Sequence, residues 1–348
     1  MTRCPAAPQL FKKGSVLAEA HMDDVHFAGD LAEVLALIKS IEESVKIKPP
    51  TVITHGSSGQ YSYLRRDRYV TKDGCWIVPS QDIMRRCAVA LGVDDAVKSP
   101  GTPLMSGDRG DSIEEDEAVP LTERESALYK TVVGALLHLR LDRQDIAFAV
   151  RLAAKRLRTA TVLSMLRVKR IVKYVWTTRS LGIFIPSGGG ILGLRVDCDA
   201  DWAGNRKDRR SNTCGVVFVS NVVQEFIAKG QGVVALSSAE SELYAAASCA
   251  ASALHIQHLW AWAGFPLRLH LRSDSSAARA ILQRQGVGAV RHLSVRILWM
   301  QELTLSGRIV VGKVAGDDNV ADGGTKPLAT AKFQEFVGRL GLKAAPWL

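Results

Sequence analysis

The sequence predicts an α/β fold centred on a mixed five-stranded sheet with flanking helices, and three observations lead to it. Residues 192–196 form a strand pattern that runs into a cluster of acids and then a glycine turn. Residues 216–219 and 223–227 read as the next two strands of a meander, with a turn at Ser220-Asn221. A long helical segment and two further strand patterns follow, so helices and strands alternate.

The helical segment begins near Ser238, because Ser237 and Glu240 have the spacing of a capping box. Its small and apolar residues share one face that is predicted to pack on the sheet: Leu243, Ala247, Ala250, Leu254 and Ala261. Residues 267–273 and 309–314 read as the fourth and fifth strands, each followed by a helix. The predicted order is therefore β-β-β-α-β-α-β-α.

Four acids stand at the ends of these strands or at the starts of these helices: Asp199, Glu242, Asp274 and Asp322. Ligands of open α/β sheets bind at strand ends. Magnesium takes oxygen ligands and keeps several of its waters, so a few convergent carboxylates suffice to hold it. Any one of these acids taken alone is better explained as part of a solvated turn.

Four segments make the pattern specific, in this order: DADWAGN (199–205), ALSSAESELYAA (235–246), LRSDSSAA (271–278) and NVADGGTKPL (319–328). Together they resemble the ribonuclease H domain of copia-type retrotransposon polyproteins. The resemblance implies a ribonuclease H-like fold that cuts the RNA strand of RNA·DNA hybrids with two Mg²⁺ ions, or Mn²⁺ in their place. It also implies that the catalytic, metal-binding acids are Asp199, Glu242, Asp274 and Asp322.

Two places depart from the pattern of that family. His292 lies in a segment similar to Lys-His-Ile-Asp and is a candidate accessory residue, but Ser294 stands where the family has aspartate. Gly323 and Gly324 follow Asp322, where the family has bulky apolar residues. Because a glycine costs a helix about 1 kcal/mol relative to alanine, we expect Asp322 to be held less rigidly.

Residues 1–96 resemble the end of the palm and the thumb of a copia-type reverse transcriptase. Asp23 and Asp24 lie between two short strands, similar to the Tyr-x-Asp-Asp hairpin of that enzyme with His21 in place of tyrosine. Only 20 residues precede His21, so we expect a truncated remnant with a relic metal site and no polymerase activity. A hairpin over 61–79 with its turn at Asp73-Gly74 is predicted next.

Composition divides the rest of the chain. Residues 97–120 are rich in proline, glycine, serine and acids and are predicted to be a flexible linker. A basic helical connection over 121–190, the ribonuclease H domain over 191–342 and a tail over 343–348 follow.

The formal net charge of +10 is uneven, since 121–190 carries 13 Lys and Arg against 4 Asp and Glu. Candidate nucleic-acid-binding residues of this region are Arg151, Lys155, Arg156, Arg167, Lys169, Arg170 and Lys173. Such cations bind phosphates without sequence preference. Solvation of helix surfaces explains any single one of them equally well.

The six cysteines form no C-x-x-C pair and no zinc pattern, so they are interpreted as reduced thiols. Neither a signal peptide nor a membrane span is predicted. The expected setting is intracellular, cytoplasmic or nuclear, or within a retroelement particle, with an RNA·DNA hybrid and the rest of a polyprotein as partners. Two alternatives stay open: a catalytically inactive nucleic-acid-binding remnant, and a nuclease or integrase of the same fold with another substrate.

Overall fold

A computed structural model of the chain describes residues 1–105, 108, 117–188, 190, 193–286 and 295–345. His292 and much of the second half of the expected linker lie outside these ranges. Within them the strands form three sheets, and no helix is both long and apolar enough to cross a membrane.

The central sheet is mixed and has five strands, as predicted. Its order is β11-β10-β9-β12-β13, with β9, β10 and β11 antiparallel and β12 parallel to both β9 and β13. A two-residue turn joins β10 to β11, with Ser220 in the left-handed region at φ 55°. The strands are β9 (Leu194–Asp201), β10 (Asn212–Val219), β11 (Val222–Gly230), β12 (Leu269–Ser273) and β13 (Ile309–Lys313).

One face of this sheet packs against three helices, α6 (Ser238–Ala263), α7 (Ser276–Gln283) and α8 (Val295–Leu305). The predicted order had one helix between the fourth and fifth strands, whereas the structure has both α7 and α8 there. The predicted packing face of α6 is buried except at Ala261, which lies exposed in its last turn.

Ser237 caps α6 as predicted, because its side chain accepts a hydrogen bond from the Glu240 backbone N–H at 3.2 Å. The second half of the capping box differs from the prediction. The Glu240 carboxylate accepts from the backbone N–H of Leu236 at 2.7 Å, one residue before the cap. The helix ends at Gly264, whose φ of 107° suits glycine.

The other face of the sheet joins a second core through Cys214, Val216 and Phe218 of β10. Because both faces are covered, β10 is buried along its whole length and is apolar from Val216 to Val219. Five helices contribute to this core: α2 (Gln81–Ala90), α3 (Glu123–Leu139), α4 (Ala147–Lys155), α5 (Val162–Thr177) and α9 (Thr330–Arg339).

The first 28 residues form an antiparallel sheet with strand order β1-β2-β3-β4. The predicted aspartate hairpin is present, and both Asp23 and Asp24 are exposed at its tip. The elements are β1 (Thr2–Arg3), β2 (Leu10–Lys13), β3 (Val16–His21) and β4 (Asp24–Ala28), followed by helix α1 (Leu31–Glu42).

The third sheet corrects the predicted hairpin over 61–79, which is three strands. Leu64 and Arg65 adopt left-handed conformations, with φ of 53° and 58°, and make an additional two-residue turn. The sheet order is β14-β8-β7-β6-β5. Its strands are β5 (Gly59–Tyr63), β6 (Arg66–Thr71), β7 (Gly74–Pro79), β8 (Leu181–Pro186) and β14 (Leu342–Ala344).

This sheet crosses the expected domain boundaries. It pairs strands from the expected remnant (1–96) with β8 of the connection and with β14, which runs from position 342 into the expected tail. Backbone pairing between distant segments leaves no composition signal, so boundaries drawn from composition missed it.

The start of the expected linker is also packed rather than flexible. Thr102 and Leu104 are buried. The Arg170 guanidinium donates to the Pro100 carbonyl at 3.1 Å and to the Thr102 hydroxyl at 3.2 Å, and Arg167 pairs with Asp108 at 2.6 Å. A polar segment is ordered here because the cations of α5 satisfy its oxygens.

A fully buried ion pair ties the start of α4 to the end of α5. The Arg143 side chain donates to both Asp145 oxygens, at 3.0 and 2.8 Å, and to the Thr178 carbonyl and hydroxyl. The Tyr174 hydroxyl donates to Asp145 at 2.7 Å. Every charge in this network is hydrogen-bonded, which a buried pair requires.

We expect Asp145→Ala to lower the free energy of unfolding by about 3–5 kcal/mol, because it leaves the buried Arg143 without its carboxylate. Urea unfolding measures the change. Asp82→Ala is the matched control, since Asp82 pairs with Arg85 and Arg86 at the surface, where a pair is worth about 1 kcal/mol or less. Equal losses in the two variants would contradict the prediction.

Candidate metal centre

Three of the four predicted acids converge at one end of the central sheet. Ligand oxygens of Asp199, Glu242 and Asp274 all lie within 4.8 Å of one another. Strands β9 and β12 are parallel, and Asp197 is paired in register with Arg272. The residues two positions further along, Asp199 and Asp274, therefore stand side by side. The three acids could hold a metal ion.

Glu242 reaches this group from the first turns of α6. Its Oε1 accepts a hydrogen bond from the Ala200 backbone N–H at 3.2 Å. Its Oε2 is buried and has no hydrogen-bond partner within the described part of the chain. An unsatisfied buried carboxylate oxygen is costly, and a divalent cation is the kind of group that would satisfy it. The donor set thus fits a hard metal ion.

Asp322 lies beside the three acids but in a different element from the one predicted. It sits in a 3₁₀ turn, Val320–Gly324, and the helix α9 starts only at Thr330. Asn319 fixes the turn, because its amide donates to the Cys198 carbonyl of β9 at 3.1 Å and its side-chain oxygen accepts from the Ala321 N–H.

Two further residues of the same turn act on the acids. The Thr325 hydroxyl donates to Oδ2 of Asp199 at 2.7 Å, and the Lys326 ammonium pairs with Asp322 at 2.8 Å. Asn319, Thr325 and Lys326 were not among the predicted site residues. All three belong to the segment NVADGGTKPL, so the available signal was polar side chains flanking the aspartate.

Burial and mutual repulsion dominate the electrostatics of the site. Burial raises the pKa of Asp199, and the neighbouring charge of Asp322 raises it further. Burial, followed by the charges of Asp199 and Asp274, raises the pKa of Glu242 to about 9. Burial lowers the pKa of Lys326, but the hydrogen bond and charge of Asp322 outweigh it and raise that pKa overall. The charged forms of these acids are therefore disfavoured, and a bound cation would stabilise them.

The glycines after Asp322 do not have the effect expected of them. A Cβ at Gly323 would overlap the Phe336 ring of α9, and one at Gly324 would overlap the Cys214 thiol of β10. Both positions are buried. The expectation that they loosen Asp322 is wrong, because the turn is pressed between β10 and α9 and only glycine fits there.

A buried aspartate fixes the register of the two strands that carry the site. Arg272 of β12 donates to both oxygens of Asp197 on β9, at 2.6 and 2.8 Å, and Arg195 approaches the same carboxylate at 3.4 Å. Because the two strands are held in register, Asp199 and Asp274 lie at the same level along the sheet.

The predicted phosphate-binding cations separate into two groups. Arg151 is buried and donates to the Asn212 side chain at 2.7 Å, and burial lowers its pKa to about 10. It therefore joins α4 to β10, whereas the sequence predicted a phosphate contact. Arg167 and Arg170 hold residues 100–108, as described above. Lys155 is exposed, and Arg156, Lys169 and Lys173 are half-buried on α4, α5 and the turn between them.

Asp23 and Asp24 do not join the metal-competent group that forms within the described ranges. They lie exposed on the first sheet. His292 falls outside the described residues, so its accessory role stays a prediction.

Comparisons with known proteins find similarity to retroelement polyproteins. No family model matches the chain. The chain is 28% identical over 221 residues to the retrovirus-related Pol polyprotein from transposon RE1 of Arabidopsis thaliana, which covers 63% of this chain and 15% of that protein. It is 27% identical over 216 residues to that of transposon TNT 1-94 of Nicotiana tabacum, with 60% and 16% covered. Over about 60% of its length, the chain is thus similar to Pol polyproteins of copia-type retrotransposons.

The chain spans about 15% of the length of the curated Pol polyproteins it matches. Among solved structures it is similar to LC11-RNase H1, isolated from compost by a metagenomic approach. That likeness has 12% identity and a TM-score of 0.31, and covers 38% of this chain and 92% of the other.

We expect Glu242→Gln to stabilise the metal-free protein, and increasingly so as pH rises. The pKa of Glu242 is raised from 4.5 to about 9, so the folded chain binds more protons than the unfolded chain across this window. Wild-type stability therefore falls as pH rises between these values. Melting temperatures in EDTA from pH 5 to 9 measure the difference.

Glu302→Gln is the control, because Glu302 is an exposed acid on α8. If the melting curves of Glu242→Gln and wild type stay the same distance apart at every pH, the charged form of Glu242 is not what burial penalises.

We expect Gly324→Leu to lower the free energy of unfolding by about 1–3 kcal/mol rather than to tighten the site, because the side chain has no room between β10 and α9. Gly338→Leu is the matched control, since a Cβ at Gly338 meets open space. Urea unfolding compares the two, and a stabilised Gly324→Leu would restore the original expectation of a loose turn.

Proposed function

We propose that this chain hydrolyses the RNA strand of RNA·DNA hybrids endonucleolytically, with divalent metal ions, as the ribonuclease H part of a copia-type Pol polyprotein. The observation that carries the proposal is the convergence of Asp199, Glu242 and Asp274 beside Asp322, with one Glu242 oxygen buried and unpartnered. The strand order β11-β10-β9-β12-β13, with three antiparallel strands followed by two parallel ones, supports a ribonuclease H-like fold.

Asp199 has the central position in the proposed site. It lies against Glu242 and Asp274 on one side, and the charge of Asp322 acts on it from the other. We infer that Asp199 contributes to both metal positions, Glu242 and Asp274 to one, and Asp322 to the other. Two magnesium ions bound there would supply an activated water and stabilise the leaving oxygen of the cut phosphodiester.

The neighbouring residues prepare these carboxylates. Thr325 donates to Oδ2 of Asp199 at 2.7 Å and so fixes the orientation of that carboxylate. Lys326 neutralises part of the charge of Asp322. Both contacts come from the chain itself and hold the carboxylates in place, which favours a preorganised site.

Recognition of the RNA strand requires contacts to its 2′-hydroxyls. Glu242 and the backbone around Ala200, whose N–H donates to Glu242, are the candidates for these contacts. Lys155, Arg156, Lys169 and Lys173 are proposed to bind phosphates further along the hybrid. We expect no polymerase activity, because within the described residues no third carboxylate joins the exposed Asp23 and Asp24 in a group able to hold a metal.

The test is cleavage of an end-labelled RNA·DNA hybrid by the full chain in Mg²⁺ and, separately, in Mn²⁺. We expect cuts in the RNA strand only. Asp274→Asn should lower the rate by more than the roughly 10–100-fold typical of residues that merely orient a metal ligand. Glu302→Gln, the exposed acid on α8, should cut like wild type.

The two alternatives give different results in the same assay. A protein that binds the hybrid but cuts nothing in either metal is the inactive nucleic-acid-binding remnant. Cutting of both strands, or of a DNA duplex, indicates another nuclease of the same fold.

A further inference from the structure

The connection between β9 and β10 is a cationic loop beside the acidic site. Its tip contains Arg206, Lys207, Arg209 and Arg210 around a single acid, Asp208, and all five residues are exposed. The predicted basic residues lay in 121–190, and the proposed site itself does not use this loop. We call residues 206–210 the cationic tip.

The base of the loop is held in one conformation. The Asn205 N–H donates to the Arg210 carbonyl at 3.1 Å, and the Ala203 N–H donates to the Ser211 hydroxyl at 3.1 Å. Within the tip, the backbone N–H groups of Lys207 and Arg210 donate to the Asn205 and Asp208 side chains. A pre-ordered tip loses less entropy on binding than a disordered one.

An exposed apolar patch lies at the foot of the loop. Trp202 is 49% exposed, yet its indole N–H donates to the Ala235 carbonyl at 2.9 Å, so the ring is fixed. The segment that contains Ala235 also exposes three more apolar side chains: Val233, Val234 and Leu236. Exposed apolar surface next to a cluster of charges indicates a binding site.

Chain geometry places the foot of the loop, at Trp202, next to the acids, and the cationic tip extends beyond it. Trp202 follows Asp199 by three residues, which is about 10 Å at the strand rise of about 3.3 Å per residue. That distance corresponds to roughly three nucleotide steps along one strand of a duplex. A phosphate backbone that passes the acids would therefore also pass the loop.

The positive charge of the loop is opposite to that of the acidic site, and this difference matters for binding a polyanion. The acids at the site repel one another and would repel a polyanion equally. Lys326, the cation that pairs with Asp322, is committed to that carboxylate. The cationic tip carries four positive charges against one negative, so it attracts the polyanion that the acids repel.

We propose that the β9–β10 loop is a second contact for the nucleic-acid duplex: Trp202 packs against the sugars about three steps from the cut, and the cationic tip binds backbone phosphates further along. The inference rests on the proposed function for the identity of the duplex, an RNA·DNA hybrid.

Binding is measured separately from cleavage, in the full-length Asp274→Asn background so that the probe stays intact. A fluorescein-labelled RNA·DNA hybrid is titrated at several salt concentrations and followed by anisotropy. The tip variant carries Arg206→Gln, Lys207→Gln, Arg209→Gln and Arg210→Gln. The control variant carries Lys46→Gln, Lys48→Gln, Arg65→Gln and Lys72→Gln, four equally exposed cations outside the central sheet.

Each lost phosphate contact removes about 0.9 from the slope of log K against log salt, so we expect the tip variant to flatten the slope by about 2–4. The control variant has the same charge change and should keep the wild-type slope. Equal slopes in the tip and control variants would overturn the proposal, because the tip would then contribute only net charge.

Trp202→Ala separates the apolar contact from the ionic one. It should weaken binding while leaving the salt slope unchanged, since no counterions are released by an apolar contact. Trp202→Phe, which keeps a ring but loses the hydrogen bond to Ala235, should retain part of the affinity. Wild-type affinity in Trp202→Ala would remove Trp202 from the contact.

Failure of this inference is distinguishable from failure of the proposed function. A wild-type chain that cuts hybrids, together with a tip variant that binds like the control, keeps the function and removes the loop contact. A chain that cuts nothing but shows a tip-dependent salt slope keeps the loop contact and removes the function.

Discussion

The burial of like charges at one end of the central sheet is the constraint on which the rest of the structure depends. Both faces of this sheet are covered, so Asp199 and Glu242 are buried where carboxylates are costly. Their neighbours offset only part of this cost. Thr325 donates to one oxygen of Asp199 and Ala200 to one of Glu242, and the second Glu242 oxygen has no partner among the residues that the structure describes. A cation bound beside these carboxylates would therefore be favourable.

Keeping these acids together requires rigid surroundings, and strand β9 supplies most of them. Its Asp197 locks β12 in register through Arg272, and its Cys198 carbonyl receives the Asn319 amide that fixes the turn of Asp322. The two glycines of that turn belong to the same arrangement, because they let the turn approach β10 and α9 closely. The strand then continues into the loop that carries Trp202 and the cationic tip.

The segments before the central sheet are built into the same body. A five-stranded sheet takes strands from 59–79, 181–186 and 342–344, and one apolar core runs from α2 to β14. The cations of α4 and α5 contribute to this packing, since Arg151 binds Asn212 of β10 and Arg170 binds residues 100–102. Basic residues of these helices therefore stabilise contacts inside the chain.

The sequence by itself determined the central sheet, its turn at Ser220, the cap at Ser237 and the three acids that meet, because these depend on local patterns and on motifs short enough to read. The tertiary structure alone decided which polar residues support the acids, that the glycines are packed, that Arg151 is internal and that β14 completes a distant sheet. These depend on contacts between residues far apart in the chain. Local periodicity and composition do not indicate which distant segments will be in contact.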